Sequence, residues 1–319
     1  MQIDSTATLA QTIFKRVLKL MGNRFEISVV AAVEDEVWAN NCIETAIGEI
    51  ARIEKLLTTY DENSQLSLIN KQAGIAPVKV DKEVVELIER AKKISDITQG
   101  AFDISYGSID KKLWNFDKSM TALPDEETAK NLVRLINYKN IFTDIQNQTV
   151  FLKEKGMRIG FGGIGKGYAA ERAKYLLQQN GVESGIVNAA GDLTTWGKQP
   201  DGKPWTIGIA NPDSVRDAFS WMDITNMSVA TSGNYEKFVV IGGKKYSHTI
   251  NPKTGMPVQG IKSVTIISPN AEIADAFATP VMVMGIKVGL NMVNQIKGLG
   301  CIIIDESDII YTSANINIL

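Results

Sequence analysis

Gly160-Phe161-Gly162-Gly163-Ile164-Gly165-Lys166-Gly167-Tyr168 is a glycine-dense turn that runs directly into an apolar-periodic segment. Glycine lets backbone N–H groups approach a ligand closely, and the start of a helix presents such groups with a partial positive charge. Lys166 would share that environment as a point charge suited to a pyrophosphate. The spacing predicts a helix over Tyr168–Asn180, with Ala169, Ala173, Leu176 and Leu177 as its buried stripe and Gly181 as its stop. A short strand, Gly185–Ala189, follows. The turn is not a Walker A loop, because no Ser or Thr follows the lysine, and no regular βαβ setting supports a dinucleotide fingerprint.

Further along, Ala271–Met284 reads as a helix carrying Asp275-Ala276-Phe277-Ala278-Thr279. Asp275 and Thr279 stand one helical turn apart, so both side chains can meet one ion. Mg2+ prefers oxygen ligands and keeps waters and substrate phosphate oxygens, and a carbonyl from the glycine-rich turn can complete the shell. The same spacing is also common in plain amphipathic helices. Between these segments lies Asn188-Ala189-Ala190-Gly191-Asp192, where Asp192 either contacts a ligand or caps the turn. Thr231-Ser232-Gly233-Asn234-Tyr235 reads as pocket lining or as an ordinary turn. His248 is the sole histidine and precedes the turn Asn251–Gly255. With no acidic partner nearby in sequence, a hydrolase triad is not supported.

The rest of the chain alternates without a regular βαβ rhythm, which predicts an α+β fold. Phe25–Val33 reads as a strand and Glu36–Leu57 as a helix. The polar run Thr58–Ser64 can curl over a ligand. Asp81 is placed to cap a helix carrying Val84, Val85, Leu87, Ile88 and Ala91. Gly100–Trp114 reads as a turn and irregular packed segment, and a further helix starts near Pro124–Glu127. Short strands are expected at Val150–Leu152, Met157–Ile159, Trp205–Ala210, Phe238–Ile241 and Val264–Ser268. A helix near Ile286–Ile296 and a final strand, Cys301–Ile304, close the chain.

The 319 residues can form one large domain or two closely packed ones. A formal net charge of -2 argues against nucleic acid as the main partner. Cys42 and Cys301 read as free, buried thiols, and with one histidine they make no zinc site. No stretch reaches transmembrane length, and Met1-Gln2-Ile3-Asp4-Ser5 lacks the basic leader and apolar run of a signal peptide, so a soluble chain is expected.

In their order these segments resemble the ApbE family of FAD:protein FMN transferases. The resemblance is carried by Met21-Gly22-Asn23-Arg24-Phe25, Thr59-Tyr60, Ala101-Phe102-Asp103-Ile104, Gly162–Ala169, Asn188–Asp192, Thr231-Ser232-Gly233, His248–Gly255 and Asp275–Thr279. It implies a single ApbE-like catalytic domain over residues 1–319, with mixed sheets, flanking helices and FAD between two closely packed lobes. It implies Mg2+-dependent transfer of FMN from FAD to a threonine hydroxyl of a target protein, with release of AMP. Met21, Tyr60, Ala101, Phe102, Asp103, Lys166 and Ile250 would line the FAD site. Gly163, Asp275, Ala278 and Thr279 would meet the metal, Gly163 and Ala278 through backbone only, and Lys166 and Asp275 would carry the catalysis. The implied partner is a threonine-bearing acceptor domain, typically of a membrane redox complex. Family members are commonly exported or anchored outside the inner membrane; a cytoplasmic form is the alternative for this chain. Alternative activities are FAD pyrophosphatase and FAD binding without turnover. Two positions depart from the family pattern: Gly160 stands where an aspartate is common, and Ala190 replaces the first glycine of a Gly-Gly-Asp motif.

Overall fold

In the computed structural model, which describes residues 10–109, 120–211, 214–233 and 238–316, the chain enters through a hairpin, β1 (Gln11–Leu20) and β2 (Asn23–Ala32). Met21 and Gly22 join the strands, both with positive φ (49° and 72°), the twist that a two-residue hairpin turn favours. Phe25, Ile27 and Val29 project from one face of β2 and are fully buried beneath α1 (Glu36–Leu57). Ile43, Ala46, Ile50 and Ile53 form the matching stripe on α1. Burying each of the large aliphatic side chains contributes about 1.5–3 kcal/mol, so this stripe fixes how α1 lies on the sheet.

Next come α2 (Gln65–Lys71), β3 (Val78–Lys79), α3 (Lys82–Ile97), α4 (Glu126–Leu132), β4 (Ile141–Asp144) and β5 (Thr149–Leu152). The second half holds α5 (Gly165–Gln179), β6 (Gly185–Ala189), β7 (Asp192–Trp196), β8 (Trp205–Asn211), β9 (Ser214–Ile224) and β10 (Ser228–Gly233). It ends with β11 (Phe238–Ile241), β12 (Lys244–Ser247), β13 (Ile261–Ser268), α6 (Ala271–Met284), α7 (Ile286–Asn294), β14 (Gly300–Asp305) and β15 (Ile310–Thr312). Eight strands form the main sheet in the order β1-β2-β6-β7-β10-β13-β14-β15. A small sheet, β3-β5-β4, and two hairpins, β8-β9 and β11-β12, complete the β-structure among the described residues. Every pairing is antiparallel, so sheets mix with helices here rather than strand directions with one another. Helix α5 packs between α1 and α6, and all three lie on the main sheet.

Several expectations are corrected. Met157–Ile159 is not a strand. Asn70 clamps Ile159 instead, its Nδ2 donating to the Ile159 carbonyl at 3.0 Å and its Oδ1 accepting the Ile159 N–H at 2.7 Å. Helix α5 starts three residues before Tyr168, inside the glycine-rich turn. Asp81 does precede α3, but only its backbone carbonyl engages the helix, accepting from Val84 and Val85. Cys301–Ile304 is not the last strand, because β15 follows. Cys42 and Cys301 are both buried and free. Among the described residues no helix is long and apolar enough to cross a membrane. Met1–Ser5, residues 110–114 of the irregular segment, and Asn234-Tyr235 lie outside the described residues.

Candidate active site

Two hairpin turns meet at one end of the main sheet. Met21-Gly22 joins β1 to β2, and Ala190-Gly191 joins β6 to β7. The Ala190 N–H donates to the Arg24 carbonyl at 3.0 Å, which ties the second turn to the first residues of β2. Ala190 has φ 57°, a region where glycine is at ease and alanine is strained, so its departure from the glycine pattern carries a backbone cost.

The first turn of α5 faces these hairpins. Lys166 Nζ lies 2.5 Å from Asp192 Oδ2, at the start of β7, and 3.6 Å from Asp275 Oδ1 on α6. Asp275 Oδ2 accepts the Gly167 N–H at 2.9 Å, and Asp192 Oδ1 accepts the Thr231 N–H at 3.3 Å. Thr279, one turn after Asp275, brings its hydroxyl to 3.4 Å from Ser232 Oγ. Strands β7 and β10 and helices α5 and α6 thus converge on one cluster. Gly167 makes the convergence possible: a Cβ there would stand 2.2 Å from the Ala271 carbonyl oxygen and 2.7 Å from Asp275 Cβ.

Burial opposes the Lys166 charge, but Asp275 and Asp192 outweigh it and raise its pKa above the usual lysine value. The ammonium is therefore a fixed cation and not a base. Burial, together with the Asp275 charge, pushes the Asp192 carboxyl up to about 7, although Lys166 and the Thr231 N–H pull the other way.

Other expected residues fall around this cluster in different ways. Phe102 lies against Gly163, its Cε2 3.6 Å from where a Cβ on Gly163 would stand, and Met21 Cε has the same 3.6 Å relation to Gly165. Ala101 and Phe102 are buried beside Asp103. Both Asp103 oxygens are engaged within the protein: Oδ1 accepts from Ser105 N–H and Oγ–H at 2.8 and 2.6 Å, and Oδ2 from Tyr138 N–H at 2.8 Å. Ile250 is buried with Ile109 and Val133, and its N–H donates to Tyr106 Oη at 3.3 Å. Tyr60 is 98% exposed on the polar run after α1. Ala278 is buried within α6 between Asp275 and Thr279. Among the described residues nothing lies within 4 Å of a would-be Cβ on Gly160, so they leave the position open to a side chain.

Sequence reasoning left Asp192 undecided and did not single out Ser232 as a partner of Thr279. The structure settles the turn: Asn188 Oδ1 accepts the Gly191 N–H at 2.8 Å, so Asn188 holds it and the Asp192 carboxylate is turned to Lys166. The available signal was an aspartate directly after a tight turn that ends a strand.

The oxygen donors suit a hard cation. Asp275 Oδ1 stands 3.6 Å from the Lys166 ammonium, and the Thr279 hydroxyl stands one turn away. Among the described residues there is no group of three or more His, Cys, Asp or Glu side chains able to hold a metal. A cation here would therefore draw on Asp275, Thr279, main-chain carbonyls, water and ligand oxygens, which is how Mg2+ is commonly held. A separate cleft of about 510 Å3 opens on the other face of α5, lined by Glu83, Arg90, Tyr168, Arg172 and Glu272 among others. Its charges are already partnered: Arg90 pairs with Glu272 at 2.6 Å across the cleft, while Glu83 and Arg172 pair with Arg52 and Glu49 beside it, and the network ties α3 to α5 and α6.

The architecture is that of the flavin transferases. It superimposes on the ApbE protein of Thermotoga maritima with a TM-score of 0.84 at 30% identity, over 95% of this chain and 97% of that one. The apo flavinyl transferase ApbE of Pseudomonas stutzeri shares the fold with a TM-score of 0.81 at 24% identity, over 95% of each chain. In sequence, an FAD:protein FMN transferase of Klebsiella pneumoniae is 32% identical over 267 residues, covering 83% of this chain and 82% of that protein. The ApbE family model matches residues 21–303, and the chain belongs to that family.

Proposed function

We propose that this chain transfers the FMN portion of FAD to a threonine hydroxyl of a target protein, in a Mg2+-dependent reaction that releases AMP. Membership of the ApbE family makes it a flavin transferase, the activity by which its curated relatives are named. The observation that carries the finer reading is Lys166, held between two carboxylates at the open end of α5 beside Met21 and Phe102.

The first turn of α5 and the Lys166 ammonium would receive the FAD pyrophosphate, the helix through the Lys166 N–H and its partial charge, the lysine through full charge. The Gly165 and Gly167 N–H groups already bond the Phe161 carbonyl and Asp275. Met21, Tyr60, Ala101, Phe102, Asp103 and Ile250 would line the rest of the dinucleotide, which lies between two closely packed lobes. Asp103 would contribute through its backbone, since its carboxylate is fully engaged. Tyr60, exposed on its polar run, is free to fold over a ring. Asp275 and Thr279, with the carbonyls of Gly163 and Ala278, would hold Mg2+. Once bound, the ion supplies charge neutralisation at the phosphates and makes phosphorus more electrophilic. The acceptor oxygen bonds to the FMN-side phosphorus as the bridging P–O bond breaks; AMP departs and the hydroxyl proton passes to solvent. Lys166 stays protonated throughout and stabilises charge on the phosphate oxygens. Holding both reactants in line supplies much of the acceleration. The acceptor is a threonine-bearing domain, of the kind found in membrane redox complexes.

The test incubates the protein with FAD, Mg2+ and a candidate acceptor domain, following AMP and intact acceptor mass together. AMP with an FMN-sized mass gain is expected. AMP without labelling across several acceptors would indicate a pyrophosphatase, and tight FAD binding with neither product a binding protein.

A further inference from the structure

We propose that Asp192 makes capture of the pyrophosphate conditional on the divalent cation, so that metal binds before the dinucleotide. This rests on the phosphate reading of the site given above. Asp192 is no part of the turn cap, because Asn188 performs that task. It is 5% exposed, and its Oδ1 is anchored by the Thr231 N–H at 3.3 Å, so the carboxylate cannot swing out to water. Its Oδ2 takes Lys166 Nζ at 2.5 Å, closer than Asp275 does at 3.6 Å.

Without metal, Lys166 is thus committed to a carboxylate, and the three side chains together carry one surplus negative charge. A pyrophosphate entering that site meets like charge in a poorly screened interior. A divalent cation reverses the sign and relieves the repulsion between Asp192 and Asp275. Lys166 is then released toward the incoming phosphates. Asp192 acts here through Lys166 and the local charge, as a positioning residue.

The experiment uses ADP as the pyrophosphate probe, titrated calorimetrically at pH 8 in EDTA and in Mg2+. Mn2+ binding without nucleotide is followed in parallel by electron paramagnetic resonance. Wild type should bind ADP at least about tenfold more tightly with Mg2+ than without, a floor set by the weakest, water-like case of one charge contact. Asp192→Asn should bind metal-free ADP about tenfold more tightly than wild type while binding Mn2+ several-fold more weakly. A merely structural role would weaken both. Lys166→Gln, which needs no change at Asp192, should bind Mn2+ more tightly than wild type, since the lysine no longer competes for the carboxylates. Metal-free ADP affinity unchanged or lowered in folded Asp192→Asn overturns the proposal. So does Mn2+ affinity unchanged or lowered in Lys166→Gln, which decides the matter if the Asp192 variant does not fold. Binding of neither ADP nor FAD by wild type, with or without Mg2+, would sink the underlying phosphate reading, a failure distinct from tight but metal-independent ADP binding, which overturns only the gating.

Discussion

Asp275 caps a helix that is not its own: its Oδ2 accepts the Gly167 N–H at 2.9 Å, so a carboxylate of α6 satisfies one of the unpaired N–H groups at the start of α5. The approach depends on the missing side chain at Gly167, where a Cβ would press on the Ala271 carbonyl and on Asp275 itself. The pair holds the two helices in register and fixes the carboxylate beside Lys166.

Gly167→Ala should therefore act on fold and site together. The clash is with backbone at 2.2 Å, which no rotamer change relieves, so α5 and α6 must part. A loss of about 1–3 kcal/mol is expected, read as a lowered midpoint in thermal or urea unfolding. A midpoint equal to wild type would mean that the helices are not packed as closely as described.

The two roles of Asp275 can be separated by substitution. Asn keeps an oxygen for the Gly167 N–H, whereas Ala keeps none and should cost about 1–3 kcal/mol more in unfolding. Both should lower Mg2+-dependent AMP release by about a hundredfold or more, because the ionic donor to the cation is gone in each. Turnover at the wild-type level in folded Asp275→Asn would remove the metal role and leave the cap alone.

Much of this framework was legible in the residues, and the misses have physical causes. Helices α1 and α6 and strand β6 were readable to their ends, because long apolar stripes or a short apolar run bounded by glycine leave few alternatives. Strand β1 was not seen: Ile13, Phe14, Val17 and Leu18 recur at helical spacing, yet both faces of the strand carry apolar residues and pairing with β2 decides the matter. The start of α5 was hidden by Gly165 and Gly167, poor helix formers by local propensity; Gly167 answers to the close α6 contact, and Gly165 sits against Phe161 and Met21. At the site, Asp275 and Thr279 could be read from one turn of one helix. The Lys166–Asp192 contact could not, since it joins residues 26 apart through the meeting of a helix start with a hairpin.

Asp103 offers a test of ligand role against scaffold role. Its carboxylate receives three hydrogen bonds, from Ser105 N–H, Ser105 Oγ–H and Tyr138 N–H, within a buried pocket. Asp103→Ala strands two backbone donors and should cost about 2–4 kcal/mol in unfolding without any ligand present. Asp103→Asn should fall between the two proteins in stability and keep FAD affinity within about threefold of wild type, by the same logic that a side chain already saturated has no bond to lose. Unaltered stability with abolished FAD binding would place the carboxylate on the ligand instead.

Asp192 gives the site a pH dependence whose sign is fixed. Burial and the Asp275 charge raise its pKa from 3.8 to about 7 in the folded chain. A raised folded value means that its contribution to stability is fully present below about pH 4 and is lost as pH climbs through 7. Carboxylates such as Glu49, held low by the Arg52 hydrogen bond, run the opposite way, their contribution present at neutral pH and lost on acidification. The total curve therefore blends both, and the informative quantity is the difference between Asp192→Asn and wild type. That difference in melting temperature should shift in favour of the variant from pH 5 to pH 8 in EDTA. The raised Lys166 pKa adds only a constant offset there, because the ammonium keeps its proton throughout that window. Mg2+ should shrink the slope in wild type by favouring the ionised carboxylate, and should change the variant less. A difference that stays flat from pH 5 to pH 8 would show that Asp192 ionises normally in the fold, with Lys166 cancelling the effects of burial and Asp275.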